Sequence, residues 1–292
     1  MDFLKHYIGK IEYSDEIEKL LKLFSTRKST QSFSDGFKFL GSLSLNSERT
    51  GYGSAFFKDN SVYCGDWKKN KPNGFGIYMF PNGERYEGIF KNFKRHGKGK
   101  YFHLNGSIFT GNYYKNLKKN YGTMVYANGN DYSGEWNEGN ICGFGTMNYF
   151  YGEEYQGEFQ KNFRHGKGTL KYSNGQLFKG EWKDGLAHGK GNLYLKNKDF
   201  YIGQFSFGKK DGNGIYQHHN GDFYSGHFKN DNKNGYGKQI YANGDIYRGY
   251  WVDGRRSGTG IYESISGNKY EGRSTILKFY FTKFFKPVKT LI

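Results

Sequence analysis

From Tyr63 to Tyr270 an aromatic residue followed two positions later by glycine returns every 23 residues, with no insertion or deletion. The anchors read YCG at Tyr63, YEG at Tyr86, FTG at Phe109, YSG at Tyr132 and YQG at Tyr155. They continue with FKG at Phe178, YIG at Tyr201, YSG at Tyr224, YRG at Tyr247 and YEG at Tyr270. Four residues after each of the first nine stands a second ring: Trp67, Phe90, Tyr113, Trp136, Phe159, Trp182, Phe205, Phe228 and Trp251. A strict period of this length is the mark of stacked structural repeats, each burying its apolar face against its neighbours. A worn copy, FLG at Phe39 with Gly51 and Gly53, lies 24 residues ahead of Tyr63, so one residue is inserted there.

Each period also carries a GxG pair, such as Gly74 and Gly76, Gly97 and Gly99, or Gly166 and Gly168, and most carry an Asn-Gly before the next anchor. Asn120 replaces the first glycine of one pair, and Asn197-Lys198 replaces one Asn-Gly. The stretch TMVYANGNDYSGEW, residues 123–136, reads as a β-hairpin. A two-residue turn at Asn128-Gly129 would split Tyr126 and Tyr132 between faces. A three-residue loop, Ala127-Asn128-Gly129, instead sets Met124 opposite Tyr132 and Gly122 opposite Gly134. Met124, Tyr126, Tyr132 and Trp136 then share one buriable face, while Ser133 and Glu135 take the other. Glycine leaves a gap on the ring face where large rings from neighbouring hairpins lie across the backbone. Each buried ring contributes roughly 1.5–3 kcal/mol, against about 0.5–1 kcal/mol lost per flexible glycine. The 44 glycines and 20% aromatic content of this 292-residue chain thus belong to one design. Ten two-stranded units at about 4.8 Å per strand would extend roughly 90–100 Å.

The recurrent YxGxW/F, GxG and NG pattern closely resembles the MORN repeat family over residues 39–272. The resemblance implies an all-β repeat fold, an elongated twisted antiparallel sheet of consecutive hairpins. It also implies use as a scaffold in cytoskeletal, ciliary, membrane-junction or parasite-division proteins. Some relatives carry a lipid-kinase or lysine-methyltransferase domain, for which residues 1–38 and 273–292 leave no space.

A short α-helix is expected at each end. DEIEKLLKLF, residues 15–24, spaces Ile17, Leu20, Leu21 and Phe24 helically, with Asp15 and Glu18 as a capping pair. A polar linker follows. STILKFYFTKFF places Leu277, Tyr280, Phe281 and Phe284 on one side of a helix, before a stop at Pro287. The division is therefore an N-terminal helix and linker (1–38), a repeat region of about ten units (39–272) and an aromatic, basic capping segment (273–292). The Tyr270 copy stops before a second strand.

No phosphate loop, HExxH, GxSxG or kinase motif occurs. No catalytic residue, cofactor or metal is expected, since an active site needs a unique asymmetric pocket and this chain offers periodic equivalence. His96, His165 and His188 share one loop phase, and Glu135, Glu158 and Glu181 recur on the polar face. Cys64 and Cys142 form neither a CxxC motif nor a disulfide framework. The net charge of +17 favours acidic partners. Lys68, Lys69, Lys94, Arg95, Lys118, Lys119, Arg164, Lys209, Lys210, Arg255 and Arg256 share a loop phase and should stack along one sheet edge as a positive ribbon. With Lys278, Lys283 and Lys286 they are the candidate contacts for an acidic partner or lipid headgroups. No apolar run is long enough to span a membrane. The expected role is a non-enzymatic scaffold for protein partners in a ciliary, cytoskeletal or cortical assembly, in the cytoplasm. The alternative is a peripheral module binding acidic phospholipids. Nucleic acid is disfavoured because the rings are committed to the fold.

Overall fold

The computed structural model describes residues 31–32, 38–274 and 279–285. Every element among them is a β-strand. The chain divides into two compact units, Met1–Ile141 and Cys142–Ile292. In the first, consecutive strands from Gln31–Ser32 to Asp131–Asn137 pair antiparallel, each with the next. The second repeats that meander from Asn140–Asn148 to Phe279–Phe285. A typical repeat is a seven-residue strand bearing the anchor ring, such as Arg85–Lys91, followed by a nine-residue strand, such as Lys94–Phe102.

Tyr132 faces Met124 and Gly134 faces Gly122, the register that the three-residue loop requires. The Gly129 N–H donates to the Tyr126 carbonyl at 3.0 Å, and the Tyr126 N–H to the Asn130 carbonyl at 2.9 Å. Gly129 takes φ +86°, the left-handed close of a type I turn with its bulge. The asparagine before it has a task of its own: its Oδ1 accepts from the N–H two residues on, at 3.1 Å for Asn128. Asn82, Asn105, Asn174, Asn197, Asn220 and Asn243 repeat that Asx contact.

The stretches joining one hairpin to the next are themselves tight turns. Lys115 and Asn116 (φ +49° and +75°), Lys161 and Asn162 (+49° and +71°), and Asp253 and Gly254 (+48° and +80°) each place two consecutive residues in the left-handed region. That is the type I′ signature. The inserted residue of the first repeat changes the corresponding turn, where Leu45, Asn46 and Ser47 form a three-residue loop closed by Ser47 N–H to Ser44 O at 2.9 Å.

The two glycines of each GxG do different work. The first sits at a β-bulge, seen as a register shift between Gly157 and Phe159. Gly166 has φ +55° there, and Asn120, the replacement, has φ +58°, a conformation asparagine tolerates better than most residues. Across the bulge, side chains of the polar-face row accept the N–H between the glycines: Glu158 from Lys167 at 2.9 Å, Asp66 from Phe75 at 2.9 Å, Gln204 from Asn213 at 2.7 Å. The second glycine lies under a ring. A β-carbon on Gly122 would stand 2.5 Å from Cζ of Phe109, and one on Gly111 2.6 Å from the same atom.

The expected terminal helices need correction. At the C-terminus, Phe279–Phe285 is a strand, antiparallel to Lys269–Ser274 with Tyr270 opposite Phe284. The Tyr270 copy therefore does have its second strand. FYFTKFF has rings at nearly every position, so it satisfies helical spacing without specifying it. Its composition is strand-favouring, and the open backbone edge of Lys269–Ser274 offers a ready hydrogen-bond template. The helix expected at residues 15–24 lies outside the described residues.

Gly122→Ala should lower stability by about 1–3 kcal/mol through overpacking beneath Phe109. Gly139→Ala, whose β-carbon would meet nothing within 4 Å but whose φ is +85°, should cost about 1–2 kcal/mol from backbone strain alone. Urea unfolding and near-UV circular dichroism separate them, because only Gly122→Ala disturbs the ring signal.

Candidate interaction surface

The ring face is sealed by an edge-to-face ladder. The anchor rings Tyr63, Tyr86, Phe109, Tyr132, Tyr155, Phe178, Tyr201, Tyr224 and Tyr247 are buried, as are their partners Trp67, Phe90, Tyr113, Trp136, Phe159, Trp182, Phe205, Phe228 and Trp251. In the first unit Tyr63 meets Trp67 at 5.3 Å and Phe90 of the next repeat at 5.1 Å. Tyr86 likewise meets Phe90 and Tyr113, both at 5.1 Å. In the second unit Tyr155 meets Phe159 at 5.0 Å and Trp182 at 5.3 Å, and the alternation runs on to Tyr247 and Trp251 at 5.4 Å. Such pairs add about 0.5–1.5 kcal/mol each beyond area burial. Polar ends are satisfied locally. Anchor hydroxyls donate to the carbonyl three residues on, as Tyr63 does to Asp66 at 2.9 Å, and Trp67 Nε1 donates to the Gly53 carbonyl at 2.9 Å.

The basic ribbon splits into two rows. Arg95, Lys118, Arg164, Lys210 and Arg256 fold back onto the ring face. Lys118 Nζ stands 4.7 Å from Phe109 and 4.8 Å from Trp136. The Arg164 guanidinium lies 4.4 Å from Trp182, and that of Arg256 4.7 Å from Tyr247. Lys233, absent from the sequence-derived set, belongs to this row, 4.8 Å from Tyr224 and 5.0 Å from Trp251. Its signal was visible as a lysine 23 residues after Lys210. These cations help roof the ladder. Lys68, Lys69, Lys94, Lys209 and Arg255 stay exposed beside the type I′ turns, and Lys119 donates to Asn137 Oδ1 at 2.6 Å. Lys283 lies in the last strand; Lys278 and Lys286 fall outside the described residues.

At the opposite edge, the residue after several of the Asx turns ties neighbouring repeats together. Ser61 accepts from Tyr78 at 2.8 Å, and Glu84 accepts from Tyr101 at 2.7 Å. The buried Asp199 accepts from the Tyr216 hydroxyl at 2.9 Å and the His219 N–H at 2.8 Å, with His218 and His219 Nδ1 at 3.2 and 2.8 Å. Burial pushes this carboxyl up, but the hydrogen bonds from His219 and Tyr216 outweigh it and hold the group well below the usual carboxylate range. His96 and His188 pack on the rings of Tyr114 and Phe207. The cleft of about 340 Å³ lined by Asp222, Asp245, Tyr241, Arg256 and Tyr262 is built from these same ties and ring-face cations. Among the described residues no group of three or more His, Cys, Asp or Glu could hold a metal ion, and neither Cys64 nor Cys142 forms a disulfide.

What remains outward is apolar at intervals. Tyr52, Phe75, Tyr121 and Phe144 are exposed on the face opposite the rings, as are Tyr236 and Tyr250, which pack together at 5.5 Å. Phe163, Leu186 and Phe207 stand exposed along the type I′ edge of the second unit. Phe150 and Tyr151 replace the usual turn residues before Gly152, 66% and 83% exposed with rings 5.3 Å apart. The sequence signal for this tip was the missing Asn before Gly152.

The buried tyrosines set the response to alkali. Burial raises Tyr224 from 10.0 to about 12 and pushes Tyr86, Tyr155 and Tyr201 further. A raised folded pKa gives stability that is whole below pH 10 and lost as pH climbs through 12. Burial lowers Lys118 and Lys233 to about 8, which acts oppositely, so their contribution improves between about pH 8 and 10.5. Stability by urea unfolding should therefore peak near pH 10 and then collapse. Phenolate absorbance equivalent to all 27 tyrosines at pH 10, with the strands intact, would contradict the sealed ladder.

The MORN repeat family matches residues 63–85, 86–108, 109–131, 132–149, 155–177, 178–200, 201–223, 224–246 and 247–269. No curated protein matches the chain. Among solved structures, the TCP10 domain of Danio rerio CPAP in complex with a STIL peptide is similar at TM-score 0.43 and 11% identity, over 72% of this chain and 95% of that one. The SAS-4 (dCPAP) TCP domain of Drosophila melanogaster, in complex with a proline-rich motif of Ana2, gives 0.34 and 13%, over 53% and 85%. The TCP10c domain of Drosophila melanogaster Sas-4 gives 0.32 and 14%, over 61% and 99%. At these scores neither fold nor partner transfers. With nine tandem matches across most of its length, the chain belongs to the MORN-repeat family.

Proposed function

We propose that this protein is a non-enzymatic scaffold that presents repeated surface to protein partners in a ciliary, cytoskeletal or cortical assembly. One observation carries the proposal: the rings and their cations are consumed in holding repeats together, so the surface left for others is the outward face and the turns. That surface is periodic and studded with exposed rings, the residue type that dominates binding hot spots. Family resemblance supports the kind of assembly. Phe150 and Tyr151 are the anchors of choice, since this paired aromatic tip turns most of its surface to solvent.

Purification from native cells should recover the chain with stable partners, and recovery only as a free monomer would reject the role. The double substitution Phe150→Ala and Tyr151→Ala should weaken the partner at least tenfold, read by quantitative co-purification, with the thermal midpoint unchanged.

A second reading, docking to acidic phospholipid, is favoured by the exposed edge cations Lys69, Lys94, Lys209 and Arg255, each worth about 1 kcal/mol near an anionic membrane. Reversing these four should abolish flotation with acidic liposomes, whereas Lys118→Gln should not. Equal recovery with neutral liposomes rejects this reading. No helix among the described residues is long and apolar enough to cross a membrane.

A further inference from the structure

A single-layer sheet has two faces, and the ring ladder seals only one. On the other face of the first unit, Ser54, Cys64 and Ile77 stand side by side across three strands, next to a row made by Phe56, Val62 and Met79. This patch is dry: Ser54 is 5% exposed, Cys64 5%, Ile77 6% and Val62 8%. Arg85, opposite Met79, is buried as well, with Nε 2.9 Å from Glu87 Oε1. The same row in the second unit is wetter. Thr169, Lys179, Asn192 and Ile202 occupy it, with Thr169 and Asn192 half-buried, Lys179 exposed and Ile202 exposed at 41%. Backbone and register are alike in the two units, so the sheet itself does not dry the patch. Phe56 and Met79 pack against Val62, Cys64 and Ile77, but they lie on the same face. They close gaps sideways and cannot form a roof.

We propose that the roof is the N-terminal segment of this same chain, residues 1–30, docked across the outward face of the first hairpins. The segment arrives beside the patch, because Gln31 and Ser32 pair with Phe39 and Lys38 at the start of the same unit. Three strands span about 15 Å, which a chain rising roughly 3.3 Å per residue crosses in a few residues. Its chemistry fits: Ile17, Leu20, Leu21 and Phe24 supply apolar surface for an apolar patch. Docking in cis withholds this patch from other partners.

Cys64 lies in the patch and reports on it directly, while the half-buried Cys142, the other cysteine, serves as an internal reference. The full-length protein is treated with iodoacetamide at pH 8 and the two sites are followed by peptide mass spectrometry. Cys64 should react far more slowly than Cys142 at every protein concentration. In full-length chain carrying Leu20→Asp and Leu21→Asp, Cys64 should speed up at least tenfold with Cys142 unchanged. An unchanged Cys64 rate overturns the proposal, and so does protection that fades on dilution, which would make the cover a second copy. Should the variant unfold, accelerating both sites together, full-length Ile17→Cys, Leu20→Cys and Leu21→Cys proteins decide. At least one should form an intramolecular disulfide with Cys64 under mild copper-phenanthroline oxidation, and failure of all three overturns the proposal.

Discussion

A ring laid flat over two glycines is the contact on which every repeat depends. Phe109 occupies the space above both Gly111 and Gly122, so one side chain clamps its own strand to the next. The edge of that ring then meets Tyr113 within the repeat and Trp136 in the following one. Strand pairing, ring burial and repeat stacking are thus one interaction seen three ways. The glycines that make it possible bring backbone freedom that would loosen an ordinary strand. Here that loss is offset by a side chain far larger than any the glycine could have carried.

The ladder also decides what the molecule can offer to others. Its open roof is closed by Arg95, Lys118, Arg164, Lys210, Lys233 and Arg256, whose charged ends lie over aromatic faces rather than in solvent. A side chain that seals a core is a poor recognition element, because a partner would first have to displace it. Function moves to the face and edges the ladder leaves alone. Those carry scattered aromatics and the outer row of cations. Every repeat therefore divides its labour, holding the fold with one face and addressing partners with the other.

The polar residues follow the same logic of local repair. A bulge frees an N–H, and in several repeats an acid or glutamine on the polar face captures it, as Glu158 does for Lys167 and Gln204 for Asn213. A sharp turn frees another, and the asparagine in the turn captures that one, as Asn128 does for Asn130. Asp199 and its equivalents then join one turn tip to the next. Acids that would suggest chemistry if they stood alone are explained by recurrence: Glu158 and Glu181 each answer a bulge N–H, and Asp222 and Asp245 each answer a turn N–H, in successive repeats.

The sequence alone determined the period, the hairpin, its three-residue loop and the sharing of a face by Tyr132 and Trp136, because these depend on contacts within 23 residues that the pattern states repeatedly. It also marked Asn120 and Lys198 as substitutes, and both proved to sit at left-handed backbone positions. Three things required tertiary structure. Residues 279–285 became a strand because an open edge stood beside them, a fact about a neighbour that a ring-rich stretch cannot announce. Lys118 and Arg164 turned inward because adjacent repeats present a π-face at the right distance, whereas sequence phase records only that the cations are in register. The buried outward face around Cys64 was invisible for the same reason: burial is a property of what lies opposite, and nothing in the local pattern of VYCGDWK names its cover.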